Sequence, residues 1–161
     1  MSDAKANESS TADREIVITR VVGAPRELVW KVWTEPEHVA KWWGPNGFST
    51  TIEVMDVRPG GEWKHVMRGP DGANYPNHVK FIEVVKPERI VLENGGHREG
   101  GAPISFIATW TFDVVSDKQT RVTIHSVFPS AEQRDRVVRE FGAIEGGKQC
   151  LANLDDYVAK L

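Results

Sequence analysis

The stretch SAEQRDRVVREFGAIEGGKQCLANLDDYVAKL, residues 130–161, decides the fold. Ser130 and Gln133 form a capping-box pattern, which predicts that a helix begins there. The apolar residues that follow recur at steps of three, four and seven, as on one face of a helix, and they are Val137, Phe141, Ile144, Leu151, Leu154, Val158 and Leu161. A continuous helix of this length would run roughly 45 Å. Its apolar stripe needs a broad partner elsewhere in the chain.

Three glycines, Gly142, Gly146 and Gly147, interrupt this helical pattern. Each lowers helix stability by about 0.5–1 kcal/mol relative to alanine. One interpretation is a bend, or two helices that meet near Gly146, because small residues commonly mark a kink. The other interpretation is that the missing side chains leave space between the helix and its partner. We prefer the first, and the second stays open at this point.

The composition indicates an ordinary globular domain with no electrostatic signature. Charged residues make up 27% of the 161 residues, both signs are interspersed, and the net charge is −3. This balance does not predict binding to nucleic acid or to an anionic membrane surface. The sequence has no long apolar run and no signal-peptide pattern, so we expect a cytoplasmic protein without a membrane-spanning helix. The single cysteine, Cys150, excludes an intramolecular disulfide, and we predict that it packs as a small apolar residue.

The chain before residue 130 predicts a sheet-rich domain. Residues 1–12 are small and polar and predict a disordered tail, and residues 13–161 predict one domain. A strand over 14–22 is followed by two short helices, the first opened by Pro25 and the second over 36–42. Six further strands are predicted over 49–57, 62–68, 75–86, 89–94, 104–115 and 120–128, with a flexible glycine loop over 95–101.

Strands joined by tight turns pair antiparallel. We therefore predict an α+β fold in which a curved antiparallel sheet of about seven strands wraps the long C-terminal helix.

At this level of detail the chain resembles a known superfamily. The resemblance rests on an ordered set of segments: RVVGAPRELVW (20–30), EHVAKWWGP (37–45), DVRPGGEW (56–63), YPNH (75–78) and EGGKQ (145–149). Together they are similar to the helix-grip superfamily of START domains, birch-pollen-allergen-like proteins and polyketide cyclases, known as SRPBCC. More narrowly, they resemble the branch related to the C-terminal domain of the heat-shock protein 90 ATPase activator. The resemblance implies a helix-grip fold with an internal cavity, in which different members bind different apolar molecules and a few catalyse reactions.

The usual catalytic and metal-binding motifs are missing from the sequence. Five histidines are scattered along the chain, and none has a second His or Cys at ligand spacing. No nucleophile elbow and no phosphate-binding glycine loop occurs. We therefore expect no metal, no cofactor and no identifiable catalytic residue.

The remaining candidates are aromatic and apolar side chains with a few polar groups, as in small-molecule sites. Strand alternation places Trp63, His65 and Met67 on one face and Trp110 and Phe112 on another. Together with these five, the predicted pocket residues are Trp43, Phe81, Phe141, Ile144 and Glu145.

His65 has two interpretations: a core histidine bonded to a backbone carbonyl, or the polar contact of a ligand. His78 and Glu83 would lie on opposite strand faces unless a bulge intervenes, and the sequence does not decide which of them faces inward.

Three functions follow from these candidates. The preferred one is binding of a small hydrophobic molecule between the sheet and the C-terminal helix, without catalysis. The second is an enzyme of the cyclase or hydratase kind, with His65, Glu145 or a pocket-lining acid as the general acid–base. The third is a protein-interaction module, by analogy with the co-chaperone relative. A homodimer is a further prediction that size-exclusion chromatography would test.

Overall fold

The computed structural model describes residues 11–96 and 101–161 of the chain. Within those ranges the backbone forms seven β-strands and four α-helices in this order: β1 (Glu15–Val22), α1 (Arg26–Thr34), α2 (Pro36–Trp42), β2 (Ser49–Met55), β3 (Glu62–Arg68), β4 (Asn74–Val85), β5 (Arg89–Gly96), β6 (Ile104–Ser116), β7 (Gln119–Val127), α3 (Ala131–Phe141) and α4 (Ala143–Ala159). A 3₁₀ turn over Ala12–Arg14 precedes β1. Of the predicted disordered tail, residues 1–10 lie outside the described part, and Ala12 belongs to this turn.

The strands form one antiparallel sheet in the order β1-β7-β6-β5-β4-β3-β2. From β2 to β7, strands that are consecutive in the chain are also adjacent in the sheet. The exception is β1, which α1 and α2 connect to β2 and which lies at the opposite edge, paired with β7. The predicted α+β helix-grip architecture is confirmed. One boundary was wrong, because Gly95 and Gly96 extend β5 and pair with His78 and Asn77. The remainder of the predicted glycine loop, residues 97–100, lies outside the described part.

Irregular pairing in three strands contributes to the curvature of the sheet. The register shifts between Ile52 and Val54 in β2, between Phe81 and Glu83 in β4, and between Val114 and Ser116 in β6. Each such bulge adds an unpaired residue that bends its strand and increases the local twist.

The register shift in β4 also explains the orientation of His78 and Glu83. His78 Nε2 lies 2.9 Å from Glu62 Oε1, and Arg89 Nε donates to Glu83 Oε1 at 2.6 Å. Both pairs are solvent-exposed, so neither His78 nor Glu83 faces the interior.

The C-terminal segment is divided by a left-handed residue. The Ser130 cap is present, since the backbone N–H of Gln133 donates to Ser130 Oγ at 3.1 Å. Gly142, at φ +58° and ψ +42°, ends α3 and precedes α4. The predicted bend is real, but it lies four residues before Gly146, which is inside α4. Leu161 was wrongly placed on the apolar stripe, because it follows the end of α4 and is 60% exposed.

Side chains fill the part of the sheet that faces α1 and the C-terminal half of α4. The Trp33 ring lies 4.9 Å from Trp42, 5.2 Å from Trp110 and 5.1 Å from Phe112, between ring centroids. Around this cluster the helices bury Val29, Val32, Leu151, Leu154 and Val158. This cluster does not extend to the other end of the sheet, beneath α3 and the start of α4.

The backbone of Gly142 gives a test of the helix break. We expect Gly142→Val to lower the free energy of unfolding by about 1–2 kcal/mol, because a branched side chain is strained in the left-handed region. No atom lies within 4 Å of a Cβ placed there, so the loss reflects backbone strain rather than a clash. Gly142→Asn is the matched control with a smaller expected loss, since Asn tolerates this conformation. Urea denaturation measures both, and equal losses would contradict the assignment.

Candidate ligand-binding site

A cavity of about 280 Å³ lies between the inner face of the sheet and the helical segment α3–α4. Every strand except β2 contributes inward-facing side chains to its wall, and the loop after α2 adds Trp43, Gly44 and Pro45. At this end of the sheet the helices and the strands leave a hollow between them, and its lining is largely apolar.

Three tryptophans form the wall between this cavity and the core. The Trp43 ring lies 5.1 Å from Trp63 and 5.7 Å from Trp110, and Trp63 lies 6.2 Å from Trp110. These edge-on and tilted contacts are favourable aromatic geometries. The same Trp43 ring also contacts Trp33 of the core cluster. The indoles therefore fix the inner end of the cavity by packing on one another.

Helix α4 closes the cavity with small residues. Ala143, Gly146, Gly147 and Cys150 share the helix face that lines it. A Cβ at Gly147 would lie 3.0 Å from Ile18 Cγ1, which is tighter than ordinary contact. The absent side chain thus lets α4 approach β1 closely. A Cβ at Gly146 would likewise lie 3.3 Å from Pro45 Cγ, so both glycines line the cavity through close approach rather than by leaving open space, and the bend belongs to Gly142.

Cys150 is a wall residue with an unreactive thiol. Its Sγ accepts the backbone N–H of Gly44 at 3.4 Å. Burial raises the pKa of the Cys150 thiol to about 12, because a thiolate would be desolvated there. The residue is the packing group that the sequence predicted.

His65 is buried in this wall without a hydrogen bond to the described part of the chain. Its side chain stacks on Trp63 with ring centroids 3.9 Å apart and planes 18° from parallel, and the residue is only 4% exposed. Burial lowers the pKa of the imidazole to about 3, so the ring is neutral at physiological pH. The backbone carbonyl expected for a core histidine is not there, since Nδ1 is enclosed without a partner.

Other polar groups of the lining are neutral as well. Asn94 Oδ1 and Trp63 Nε1 are enclosed without partners, like His65 Nδ1. Asn77 uses its Nδ2 to donate to the Tyr75 carbonyl at 2.9 Å. Among the residues that the structure describes, none that lines the cavity carries a charge.

The structure brings six of the ten predicted pocket residues to the cavity and places four elsewhere. The six that line it are Trp43, Trp63, His65, Met67, Trp110 and Phe141. Phe81 and Phe112 follow Val79 and Trp110 along their strands and are buried beyond the end of the cavity. Phe112 lies there because its ring packs on Trp30 at 5.6 Å, under α1.

Ile144 and Glu145 do not line the cavity, because the rotation of α4 about its axis turns them away from it. The break at Gly142 sets the rotation of α4, and successive helical residues turn by about 100°. Ala143 and Gly146 consequently face the cavity, Ile144 packs at the edge of the core, and Glu145 is solvent-exposed.

Several lining residues were missed, although strand alternation could have found most of them. Continuing the inward face of β6 and β7 from Trp110 and Ile124 leads to Phe106 and Ser126. Asn94 lies within the predicted strand over 89–94, two residues after the buried Leu92, so the same alternation leads to it.

No set of three or more His, Cys, Asp or Glu side chains within residues 11–96 and 101–161 is placed to hold a metal ion. None of the helices in those ranges is long and apolar enough to cross a bilayer.

Solved structures of bacterial proteins share the whole fold. A Mycobacterium smegmatis protein is 28% identical, with 93% of this chain and 94% of that chain covered and a TM-score of 0.82. An Arthrobacter aurescens protein is 27% identical, with 94% and 89% covered and a TM-score of 0.83. A Nitrosomonas europaea protein is 28% identical, with 92% and 96% covered and a TM-score of 0.79. A search of curated proteins finds no match.

A family model extends over nearly the whole domain. It matches residues 23–159 and describes an activator of Hsp90 ATPase homolog 1-like protein. The family and the fold together indicate a ligand-binding or activator-like module, and they agree with the superfamily that the sequence resembles. The chain therefore belongs to the family of activator of Hsp90 ATPase homolog 1-like proteins.

Proposed function

We propose that this protein binds a small, neutral and mostly apolar molecule in the cavity between the sheet and α3–α4. The observation that carries the proposal is the volume of about 280 Å³ that remains unfilled beside a tightly packed core. Cavities in protein interiors cost stability, on the order of 24 cal/mol per Å³ in core-truncation series. A bound molecule would restore the missing contacts.

The size and lining of the cavity define the class of molecule. The volume of about 280 Å³ is nearly twice the ~150 Å³ of an engineered cavity that binds benzene. A molecule with two fused rings, or an alkyl chain of comparable bulk, would therefore fit. Since the described lining has no charged side chain, a charged ligand would lose its hydration without gaining a counter-ion.

The same geometry favours binding over general acid–base catalysis. Glu145 is exposed on α4 and does not reach the cavity. The neutral imidazole of His65, with a pKa of about 3, is a weak base at neutral pH. Neither side chain of the proposed cyclase or hydratase mechanism is thus suited to that role.

The family description supplies a second candidate, stimulation of a chaperone ATPase. It would use the outer surface of the domain and needs no ligand. Adding the full chain to an Hsp90 preparation and following ATP hydrolysis separates the two functions, because only the second predicts faster turnover.

Filling the cavity should abolish binding of an apolar probe. Ala108 lies on the inner face of β6 and lines the cavity, so Ala108→Leu places extra methyl groups in it. We expect the variant to bind naphthalene at least tenfold more weakly than the wild type. Trp43, Trp63 and Trp110 line the same space, so quenching of tryptophan fluorescence measures the affinity. Ala40→Leu, on the exposed face of α2, is the matched control and should bind as the wild type does. Equal affinity in all three proteins would place the probe outside the cavity.

Protein purified from cells under native conditions should carry a molecule of the predicted class. Native mass spectrometry is expected to show an added mass in the wild type that is reduced in Ala108→Leu. An added mass retained in full by the filled variant would argue for a surface-bound contaminant instead.

The neutral state of His65 should appear in the pH dependence of stability. Its pKa of about 3 in the folded protein lies below the value near 6.5 of an unfolded chain, so the unfolded state binds more protons as the pH falls. We expect the wild type to lose about 1.4 kcal/mol of unfolding free energy per pH unit between roughly pH 6 and pH 4, relative to His65→Phe. Urea denaturation at several pH values measures this, and a constant difference between the two proteins would contradict it.

A further inference from the structure

We infer that the bound molecule carries a neutral carbonyl oxygen that accepts hydrogen bonds from His65 and Asn94. This inference rests on the proposed function, since it specifies which apolar molecule the cavity selects. It assigns the side of the cavity formed by His65 and Asn94 as the part that hydrogen-bonds the polar group of the ligand.

The sheet register places both residues on the inner face of strands that flank β4. His65 of β3 pairs with Asn77, which pairs with Gly96, and Asn94 of β5 pairs with Val79. Both side chains line the cavity. Strand β4 therefore lies between them, and Asn94 is offset from the level of His65 by two residues along β5.

Each of the two side chains has one enclosed polar atom and one that is not enclosed. His65 Nδ1 and Asn94 Oδ1 are buried without a partner. Neither His65 Nε2 nor Asn94 Nδ2 is enclosed in that way, and neither side chain forms a hydrogen bond within the described ranges. A polar group left unpaired in this way costs about 1–3 kcal/mol, so the pair is unusual in so apolar a wall.

The hydrogen positions follow from the enclosed atoms. Asn94 Oδ1 is an acceptor, so its enclosure leaves the hydrogens of Nδ2 as the part of the amide that can reach a ligand. For His65 we place the proton on Nε2, because that ring nitrogen is not enclosed and can donate to a ligand. Both side chains thus present donors, which call for an acceptor on the ligand.

Neighbouring groups hold these donors in place. The His65 ring is stacked on Trp63, which restricts its rotation. Asn77, between the two strands, donates its Nδ2 to the Tyr75 carbonyl, and its Oδ1 lies 2.5 Å from where a Cβ of Gly96 would be. The Asn77 amide is therefore packed against the backbone of β5.

Because the described lining has no charged side chain, the site favours a neutral carbonyl over a carboxylate. A carboxylate oxygen would accept the same hydrogen bonds, but none of the described lining residues supplies a positive charge to balance it. A ketone, aldehyde, ester or amide satisfies the donors at lower desolvation cost. We therefore expect an apolar frame of about two rings with one carbonyl group.

Three probes of one shape test the inference on the wild-type protein. 2-Acetylnaphthalene carries the carbonyl, 2-isopropenylnaphthalene replaces its oxygen with a methylene group, and 2-naphthoate carries a negative charge. From hydrogen bonds of about 0.5–1.5 kcal/mol each, we expect the ketone to bind about tenfold more tightly than the hydrocarbon. The naphthoate should bind at least tenfold more weakly than the ketone. Tryptophan fluorescence quenching gives all three affinities.

Two variants test where the carbonyl group of the ketone probe binds. Asn94→Leu and His65→Phe remove one donor each with little change in volume, and each should reduce the preference for ketone over hydrocarbon to about threefold or less. Asn74→Leu makes the same substitution on the outer face of β4 and should keep the full preference. The hydrocarbon affinity shows whether each variant retains its cavity.

The outcomes separate this inference from the proposed function. If no probe binds the wild type, the proposed function fails. If ketone and hydrocarbon bind equally, or naphthoate binds best, the cavity is a binding site but this inference is wrong. A preference that survives both Asn94→Leu and His65→Phe also overturns it. Should Asn94→Leu not fold, the wild-type probes and His65→Phe still decide.

Discussion

The concave face of the sheet is mostly apolar, but the helices pack directly on only one part of it. An apolar sheet face must be covered, and in this fold a single C-terminal segment has to do so over a curved surface. Where α1 and α4 lie close, Trp33, Phe112 and Leu154 are buried, and the rings of Trp33 and Phe112 pack on each other. Further along, the curvature carries the strands away from the helix. The cavity is therefore a geometric result of covering a bent sheet with straight helices.

Two glycine positions adapt the helical segment to this surface. Gly142 takes a left-handed conformation, which lets α3 and α4 follow the sheet in different directions. Gly147 brings α4 against Ile18 of β1. The break sets the direction of α4, and the close approach at Gly147 places that helix against β1 beside the cavity. A single unbroken helix would present its residues at a different rotation.

The sequence was sufficient for the element order, the antiparallel sheet and much of the cavity wall. Period-two alternation identified Trp63, His65 and Met67 as one face, and that inference needs only local geometry. Positions that depend on tertiary structure were harder to predict from the sequence. Ile144 and Glu145 were misplaced because the rotation of α4 is set by one residue at Gly142, and several interruptions were possible. The orientation of His78 and Glu83 depended on a bulge that the sequence did not mark.

Cys150 has a consequence for the chemistry that the cavity tolerates. Its thiol forms part of the wall, yet its raised pKa keeps it protonated at neutral pH. Because the thiolate is the nucleophile in cysteine chemistry, an electrophilic guest would meet a sulfur of low reactivity. A small molecule bound there as proposed would then leave this sulfur unmodified, even if it alkylates exposed cysteines.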